Sequence, residues 1–264
     1  VNNRFLGAIA SGDAFTIANG VTIQGSGAIG GNGLAVVNNG TVIANQTNTL
    51  TLNTTAGVTN NSVLRGDGAT LSIQSTAITQ GASGTLNAIN GGTVLLGNAT
   101  VTGGSFTTAS GGVIATQGGT FSNSLSGVTN VGTLNVVNNS GLILDGTLTN
   151  NGAINVQSAG NFTDIFVNGT KTINGTGTIN LANNPNNRIL GTGATFTLGS
   201  GQTLQGSGSI GAGSANFTFV NTGTVIANQS NALRIDASSG VTNTGTLRAD
   251  GGTLQLQTTV NSGG

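Results

Sequence analysis

The sequence predicts an all-β fold, a right-handed parallel β-helix (β-solenoid) of about 12 coils with roughly 20–25 residues each. Two nested internal repeats and a regular alternation of short apolar segments with turn residues support this prediction. In such a fold, stacking buries an apolar face that no single coil can bury alone. We therefore expect a single β-solenoid domain over residues 1–264.

The shorter repeat defines the coil. Segments of the form Thr-apolar-x-apolar recur, and Val42, Leu64 and Leu86 follow one another at intervals of 22 residues. Apolar and polar residues alternate within each segment, as in Leu254-Gln255-Leu256, which is the period of a strand with one buried face. Asn-Gly, Gly-Gly and Ser-Gly pairs between the segments supply the positive φ angles of tight turns. No window shows the 3.6-residue period of a helix.

The alternation also predicts which side chains fill the interior. The expected core consists of Val42, Leu52, Leu64, Leu71, Ile73, Leu86, Leu95, Leu134, Val136, Ile154, Val156, Ile179, Leu181, Leu204, Ile210, Val225, Leu233, Ile235, Leu247, Leu254 and Leu256. We expect most of the nine phenylalanines to stack in this core. The turn residues Asn60, Asn130, Asn150 and Asn243 are predicted to form ladders of side-chain amides from coil to coil.

The longer repeat is a duplication of blocks near residues 16–79 and 195–262. Gln24–Gly30 returns as Gln205–Gly211, and Gly40–Gln46 returns as Gly223–Gln229. Short strands with frequent turns could also form an antiparallel sandwich or barrel. The repeat of one residue type at one phase favours the solenoid, because identical side chains then stack from coil to coil.

Composition excludes several classes of function. Six basic and six acidic residues give a net charge of zero, and aromatic residues make up 3% of the chain, which argues against a nucleic-acid interface. No apolar run is long enough for a membrane-spanning helix. Hydrophobic residues make up 36% of the chain, more than a disordered segment would carry.

Residues suited to catalysis or metal binding are sparse. The chain has neither histidine nor cysteine, and its acidic residues are six aspartates. Polysaccharide-degrading β-helix enzymes need several converging carboxylates. We expect Asp164 and Lys171, seven residues apart, to form a solvated surface pair. We therefore predict no catalytic residue, no cofactor-binding residue, no metal site and no enzymatic activity.

The remaining charges form pairs spaced i, i+2, which places both members on one outward strand face. These pairs are Arg65 with Asp67, Arg234 with Asp236, and Arg248 with Asp250. We expect the last two pairs to form a small exposed network. Exposed ion pairs contribute about 0–1 kcal/mol each, so their expected role is solubility and strand register.

The repeat style resembles that of a known class of proteins. Val241–Leu247 and Leu144–Gly152 look like passenger repeats of filamentous-haemagglutinin-type exoproteins and autotransporter adhesins. The resemblance implies secretion to a bacterial cell surface and a role in adhesion, biofilm or matrix. It supplies no site residues.

These observations lead to three hypotheses of function. The first is an extracellular stalk, adhesin segment or self-assembling fibre subunit, because Val1–Asp13 and Thr258–Gly264 offer little charge or proline to cap the open sheet edges. The expected partner is then a second copy, bound end to end, or the continuation of a longer repeat chain. The alternative is a solenoid that binds a surface glycan or ice, although no regular Thr-x-Thr ladder is visible. A polysaccharide-degrading enzyme ranks third.

Overall fold

The predicted β-solenoid is confirmed in a computed structural model that describes residues 3–7, 12–31 and 33–262. The described residues form 36 strands and no helix. The strands build three parallel sheets of twelve strands each, so the chain makes about 12 turns. Accordingly, the described part of the chain offers no helix that could cross a membrane.

Every third strand along the chain belongs to the same sheet. The first sheet comprises β1 (Arg4–Phe5), β4 (Gly27–Gly30), β7 (Leu50–Asn53), β10 (Thr70–Gln74), β13 (Thr93–Gly97), β16 (Val113–Thr116), β19 (Thr133–Val137), β22 (Ala153–Gln157), β25 (Thr178–Leu181), β28 (Thr203–Gly206), β31 (Thr224–Ala227) and β34 (Thr246–Ala249). The second comprises β2 (Ala14–Ile17), β5 (Ala35–Asn38), β8 (Val58–Asn60), β11 (Ala77–Gln80), β14 (Thr100–Thr102), β17 (Asn123–Ser126), β20 (Gly141–Leu144), β23 (Thr163–Val167), β26 (Asn187–Leu190), β29 (Gly208–Ile210), β32 (Leu233–Ile235) and β35 (Leu254–Leu256). The third comprises β3 (Thr22–Gly25), β6 (Thr41–Ala44), β9 (Val63–Asp67), β12 (Thr85–Ile89), β15 (Ser105–Thr108), β18 (Val128–Asn130), β21 (Leu148–Asn150), β24 (Thr170–Asn174), β27 (Thr195–Leu198), β30 (Thr218–Asn221), β33 (Val241–Asn243) and β36 (Val260–Ser262).

The strand register confirms the coil repeat. Val42 pairs with Leu64, and Leu64 pairs with Leu86, in the third sheet. Each coil therefore lies one strand spacing, about 4.8 Å, from the next. The same side of each strand faces inward from coil to coil, which stacks the apolar side chains.

The predicted core is confirmed at all but four of its positions. Leu95 is half-buried and faces outward, because Ile73 pairs with Leu96 rather than with Leu95. Leu247 and Leu254 are half-buried, and Leu256 is 48% exposed. These three lie in the last described coil, whose strands have a neighbouring strand on one side only.

The phenylalanines divide between the core and the surface. Four are fully buried, namely Phe106, Phe196, Phe217 and Phe219, and the rings of Phe196 and Phe219 stack with their centroids 5.7 Å apart. The expectation that most of the nine phenylalanines lie in the core was wrong, because only these four do. Those outside it are Phe5, Phe15, Phe121, Phe162 and Phe166.

Buried amide ladders link successive coils, as predicted. Asn38 donates to Asn60 at 2.8 Å, and Asn60 donates to the side-chain oxygen of Gln80 at 3.0 Å. The duplicated block repeats the first of these bonds, since Asn221 donates to Asn243 at 2.7 Å.

The other two predicted amides are also buried. Asn150 donates to Gln202 at 3.0 Å in a later coil. Asn130 accepts a hydrogen bond from the backbone of Gly132 in its own coil, and this bond is not part of a ladder. Asn60 ends a strand of the second sheet, whereas Asn130, Asn150 and Asn243 end strands of the third. The ladders therefore run along two corners of the coil.

The duplicated blocks fall on different sheets. Strands β3 to β11 correspond to β28 to β36, a separation of 25 strands. A coil contains three strands, so 25 strands are one more than eight complete coils. As a result β4 belongs to the first sheet and its copy β29 to the second.

The chain divides into two compact units. One consists of Val1–Gln117 and Ser122–Leu134, and the other of Gly118–Phe121 and Asn135–Gly264. The candidate site lies within the second unit.

Candidate functional site

An ion pair on the outer face of the second sheet is the most distinctive polar feature of the second unit. Asp164 on β23 and Arg188 on β26 are register partners in adjacent coils. The Nε and Nη2 atoms of Arg188 donate to the two carboxylate oxygens of Asp164, each at 2.7 Å. Asp164 is 1% exposed although its strand position faces outward. A bidentate pair of this kind holds both side chains in one geometry.

An exposed aromatic ring packs on this ion pair. The guanidinium carbon of Arg188 lies 3.6 Å from the centroid of the Phe162 ring. That distance is within the range of a cation–π contact. Phe162 is itself 52% exposed, so the contact shields one face of Arg188 and leaves much of the ring in solvent.

An apolar track runs beside the ion pair across three coils. Ile143, Phe166 and Leu190 are successive register partners on β20, β23 and β26, and all three are half-buried. The Phe121 ring adds to the track from the segment Gly118–Phe121 and is 36% exposed. We call these four side chains the aromatic track. Together they form an apolar surface that faces solvent.

Gly141 makes room for the two rings of the aromatic track. A Cβ atom at Gly141 would lie 2.9 Å from Cε2 of Phe166 and 3.0 Å from Cδ1 of Phe121. A larger residue at this position would therefore require one or both rings to shift, and glycine lets them lie close to the backbone. The rings border a shallow groove of about 350 Å³.

Asn168 and Thr192 border this groove, and Asp145 lies beside Asn168. Asp145, Asn168 and Thr192 follow β20, β23 and β26 closely, so they recur once in each of the three coils. Nδ2 of Asn168 donates to Oδ1 of Asp145 at 2.6 Å. We call these three residues the polar track. The groove thus has an apolar floor and a hydrogen-bonding edge.

The structure corrects the prediction for Asp164 and Lys171. Asp164 is buried and bonded to Arg188, so it is not part of a solvated pair. Lys171 lies on β24 of the third sheet, a different sheet from β23. Sequence reasoning missed Arg188 because it is 24 residues from Asp164. That separation falls within the 20–25-residue coil length and could have identified the pair.

The other charged pairs behave differently from one another. Arg248 and Asp250 form the predicted exposed ion pair at 3.0 Å. Arg65 instead donates to Asn87 at 2.6 Å in the next coil. The expected network with Arg234 was wrong, because Arg234 lies on the second sheet and Arg248 on the first.

Stacked threonines on the third sheet were not apparent from the sequence. Thr170 pairs with Thr195, and Thr172 pairs with Thr197, which gives two successive coils a Thr-x-Thr face. Val220 takes the corresponding position in the following coil. The Thr-x-Thr face therefore spans two coils, and only the pairing of Thr195 with Thr218 continues into the third.

Within residues 3–7, 12–31 and 33–262, no group of three or more acidic, histidine or cysteine side chains could hold a metal ion.

No family model matches the chain, and no curated protein or solved structure shows significant similarity to it. The resemblance to exoprotein and adhesin repeats therefore stays a prediction.

Proposed function

We propose that this chain is an extracellular structural and adhesive β-solenoid of a bacterial surface or matrix. In this role it acts as a stalk, an adhesin segment or a fibre subunit. The observation that carries the proposal is that the last described coil, β34 to β36, has the side chains of an interior coil. A coil of that kind is suited to receive another coil.

The duplication provides an internal reference for this coil. Leu71 and Ile73 on β10 are fully buried. They are covered because β13, the corresponding strand of the next coil, pairs with β10. Their copies on β35 are Leu254, which is half-buried, and Leu256, which is 48% exposed. The same motif is therefore buried where a coil follows and exposed where none pairs with it among the described residues. Covering Leu254 and Leu256 would yield about 25 cal/mol for each Å² of apolar surface removed from water.

The first described coil, β1 to β3, likewise has neighbouring strands on one side only among the described residues. Phe5, Leu6 and Val21 are each 47–49% exposed. Native edge strands are usually protected by charge, proline or a bulge, since unpaired strands invite pairing. Of the segments expected to lack caps, residues 1–2, 8–11, 263 and 264 lie outside the described residues. The coil that covers β34 to β36 would be the continuation of a longer chain or the first coil of a second copy.

The proposal is tested by fusing one more coil to β34–β36, which we call the open coil. Fusing residues 80–102, which contain β12 to β14, directly after residue 262 reproduces the coil that follows the first copy. We expect the fusion to raise the melting temperature, because the added strands cover Leu254 and Leu256 as β13 covers Leu71 and Ile73. A fusion with the same 23 residues in scrambled order is the matched control.

A variant separates stacking from non-specific association. Leu254→Arg combined with Leu256→Arg places two charges on the open coil. Val131→Arg is the control, because Val131 is as exposed as Leu256 and does not lie on that coil. Electron microscopy should show end-to-end particles for the unaltered chain and for Val131→Arg, but not for the double variant. If the covered fusion is no more stable than the scrambled one and all variants remain monomeric, the proposal is wrong.

A further inference from the structure

We propose that the groove between the aromatic track and the polar track binds a neutral saccharide. The inference rests on the adhesive part of the proposed function and names a ligand class for it. It does not depend on what covers the open coil. The groove lies on the outer face of the second sheet, along β20, β23 and β26.

The aromatic track supplies a surface for the apolar side of a sugar ring. Phe121 and Phe166 border the groove together with Ile143. The faces of aromatic rings carry negative charge density, and the C–H groups on one side of a pyranose ring are weakly positive, so the two surfaces attract. Exposed apolar surfaces of this kind mark binding sites more often than isolated hydrophobic residues do.

The polar track supplies hydrogen bonds at the edge of the same groove. Asp145 contributes carboxylate acceptors, Asn168 an amide, and Thr192 a hydroxyl group. These groups recur once per coil, about 4.8 Å apart, alongside the apolar side chains. Sugar hydroxyl groups project around the rim of the ring, so one molecule can contact both tracks at once.

The charges of the site favour a ligand without charge. Both oxygens of Asp164 accept hydrogen bonds from Arg188, so the two charges neutralise each other. Asp145 is exposed and bonded to Asn168, which borders the groove, so its charge would repel an acidic glycan. A neutral saccharide meets no such repulsion.

The size and rigidity of the groove also favour a small ligand. Its volume of about 350 Å³ is at the low end of small-molecule sites. A stable protein partner would instead need roughly 800 Å² of surface on each side. The Asp164–Arg188 pair, with Arg188 packed on Phe162, holds the neighbouring coils in place, which lowers the entropy cost of binding.

The test uses saturation-transfer difference NMR on the 264-residue chain with neutral oligosaccharides. The probes are hexamers of β-1,4-glucose, β-1,4-N-acetylglucosamine, β-1,4-xylose and α-1,4-glucose, with a hexamer of galacturonate as the acidic comparison. We expect at least one neutral hexamer to bind, with the strongest transfer to the ring C–H protons. Affinity for that hexamer should fall at least tenfold in Phe121→Ser and in Phe166→Thr.

Controls make each result decisive. Val131→Ser changes a residue that is 49% exposed and does not border the groove, and it should bind within twofold of the unaltered chain. Circular dichroism verifies that each variant keeps its strands. The proposal is overturned if no neutral hexamer binds at millimolar concentration, if galacturonate binds more tightly, or if both phenylalanine variants bind normally. Since the Leu254→Arg/Leu256→Arg variant should keep saccharide binding, failure here is distinguishable from failure of coil stacking.

Discussion

Arg188 clamps the carboxylate of Asp164 with two hydrogen bonds of 2.7 Å across adjacent coils of the second sheet. Asp164 is almost completely buried, while the side chain of Arg188 keeps 24% of its surface exposed. The pair therefore ties β23 to β26 on the outer face, in addition to the backbone bonds between the strands.

Replacing the carboxylate should weaken this link. In Asp164→Asn the guanidinium of Arg188 loses its charged partner in a site with little water, and the expected loss of stability is about 2 kcal/mol. Urea unfolding followed by circular dichroism measures the change. The matched control is Asp250→Asn, whose exposed pair with Arg248 should contribute less than about 0.5 kcal/mol. Equal effects in the two variants would show that burial does not strengthen the Asp164 pair.

The buried amide ladder provides a second prediction. Asn60 accepts from Asn38 and donates to Gln80, so Asn60→Ala leaves polar atoms of both neighbours without their partner. We expect a destabilisation of about 2–4 kcal/mol. Asn61 is adjacent and exposed, and its side chain donates to Asn39 at 2.8 Å. Thermal unfolding should show that Asn61→Ala changes stability by less than about 0.5 kcal/mol.

Two equivalent glycines in the duplicated blocks separate backbone strain from steric clash. Gly25 and Gly206 have φ angles of 128° and 123°, which L-residues rarely adopt. A Cβ atom at Gly206 would also collide with the carbonyl oxygen of Leu181, whereas nothing lies within 4 Å of one at Gly25. We expect Gly25→Ala to cost about 1–2 kcal/mol and Gly206→Ala clearly more. Similar melting temperatures for the two variants would show that the contact of a Cβ atom at residue 206 with Leu181 adds no measurable cost.

Two equivalent leucines test how much each coil depends on its neighbours. Leu71→Ala removes a fully buried side chain and should cost about 2–5 kcal/mol. Leu254→Ala removes the copy of that side chain on the open coil, where it is half-buried, and should cost under about 1 kcal/mol. Chemical denaturation of both variants measures the difference. In the chain fused to residues 80–102, Leu254→Ala should become as costly as Leu71→Ala.

Local patterns were sufficient for the fold but not for every side chain. Alternation placed Leu71 and Ile73 inside, because successive residues of a strand face opposite sides. It failed by one position at Leu95, where the coil is 23 residues long rather than 22 and Leu96 pairs with Ile73. The candidate site was harder to foresee, since an outward phenylalanine such as Phe166 has the same local sequence signature as an inward one.

Strand periodicity, turn residues and the internal repeats belong to the sequence, and they determined the parallel solenoid, its approximate coil number and most of its core. The tertiary structure decided the exact register between coils and which outward side chains meet. The Asp164–Arg188 pair depends on the length of the coil that separates its two residues, and the shift of the duplicated block by one sheet depends on the number of strands between the two copies. The burial of an outward side chain such as Asp164 depends in turn on what the adjacent coils place beside it. These features join residues at least one coil apart, so no window as short as a single strand contains them.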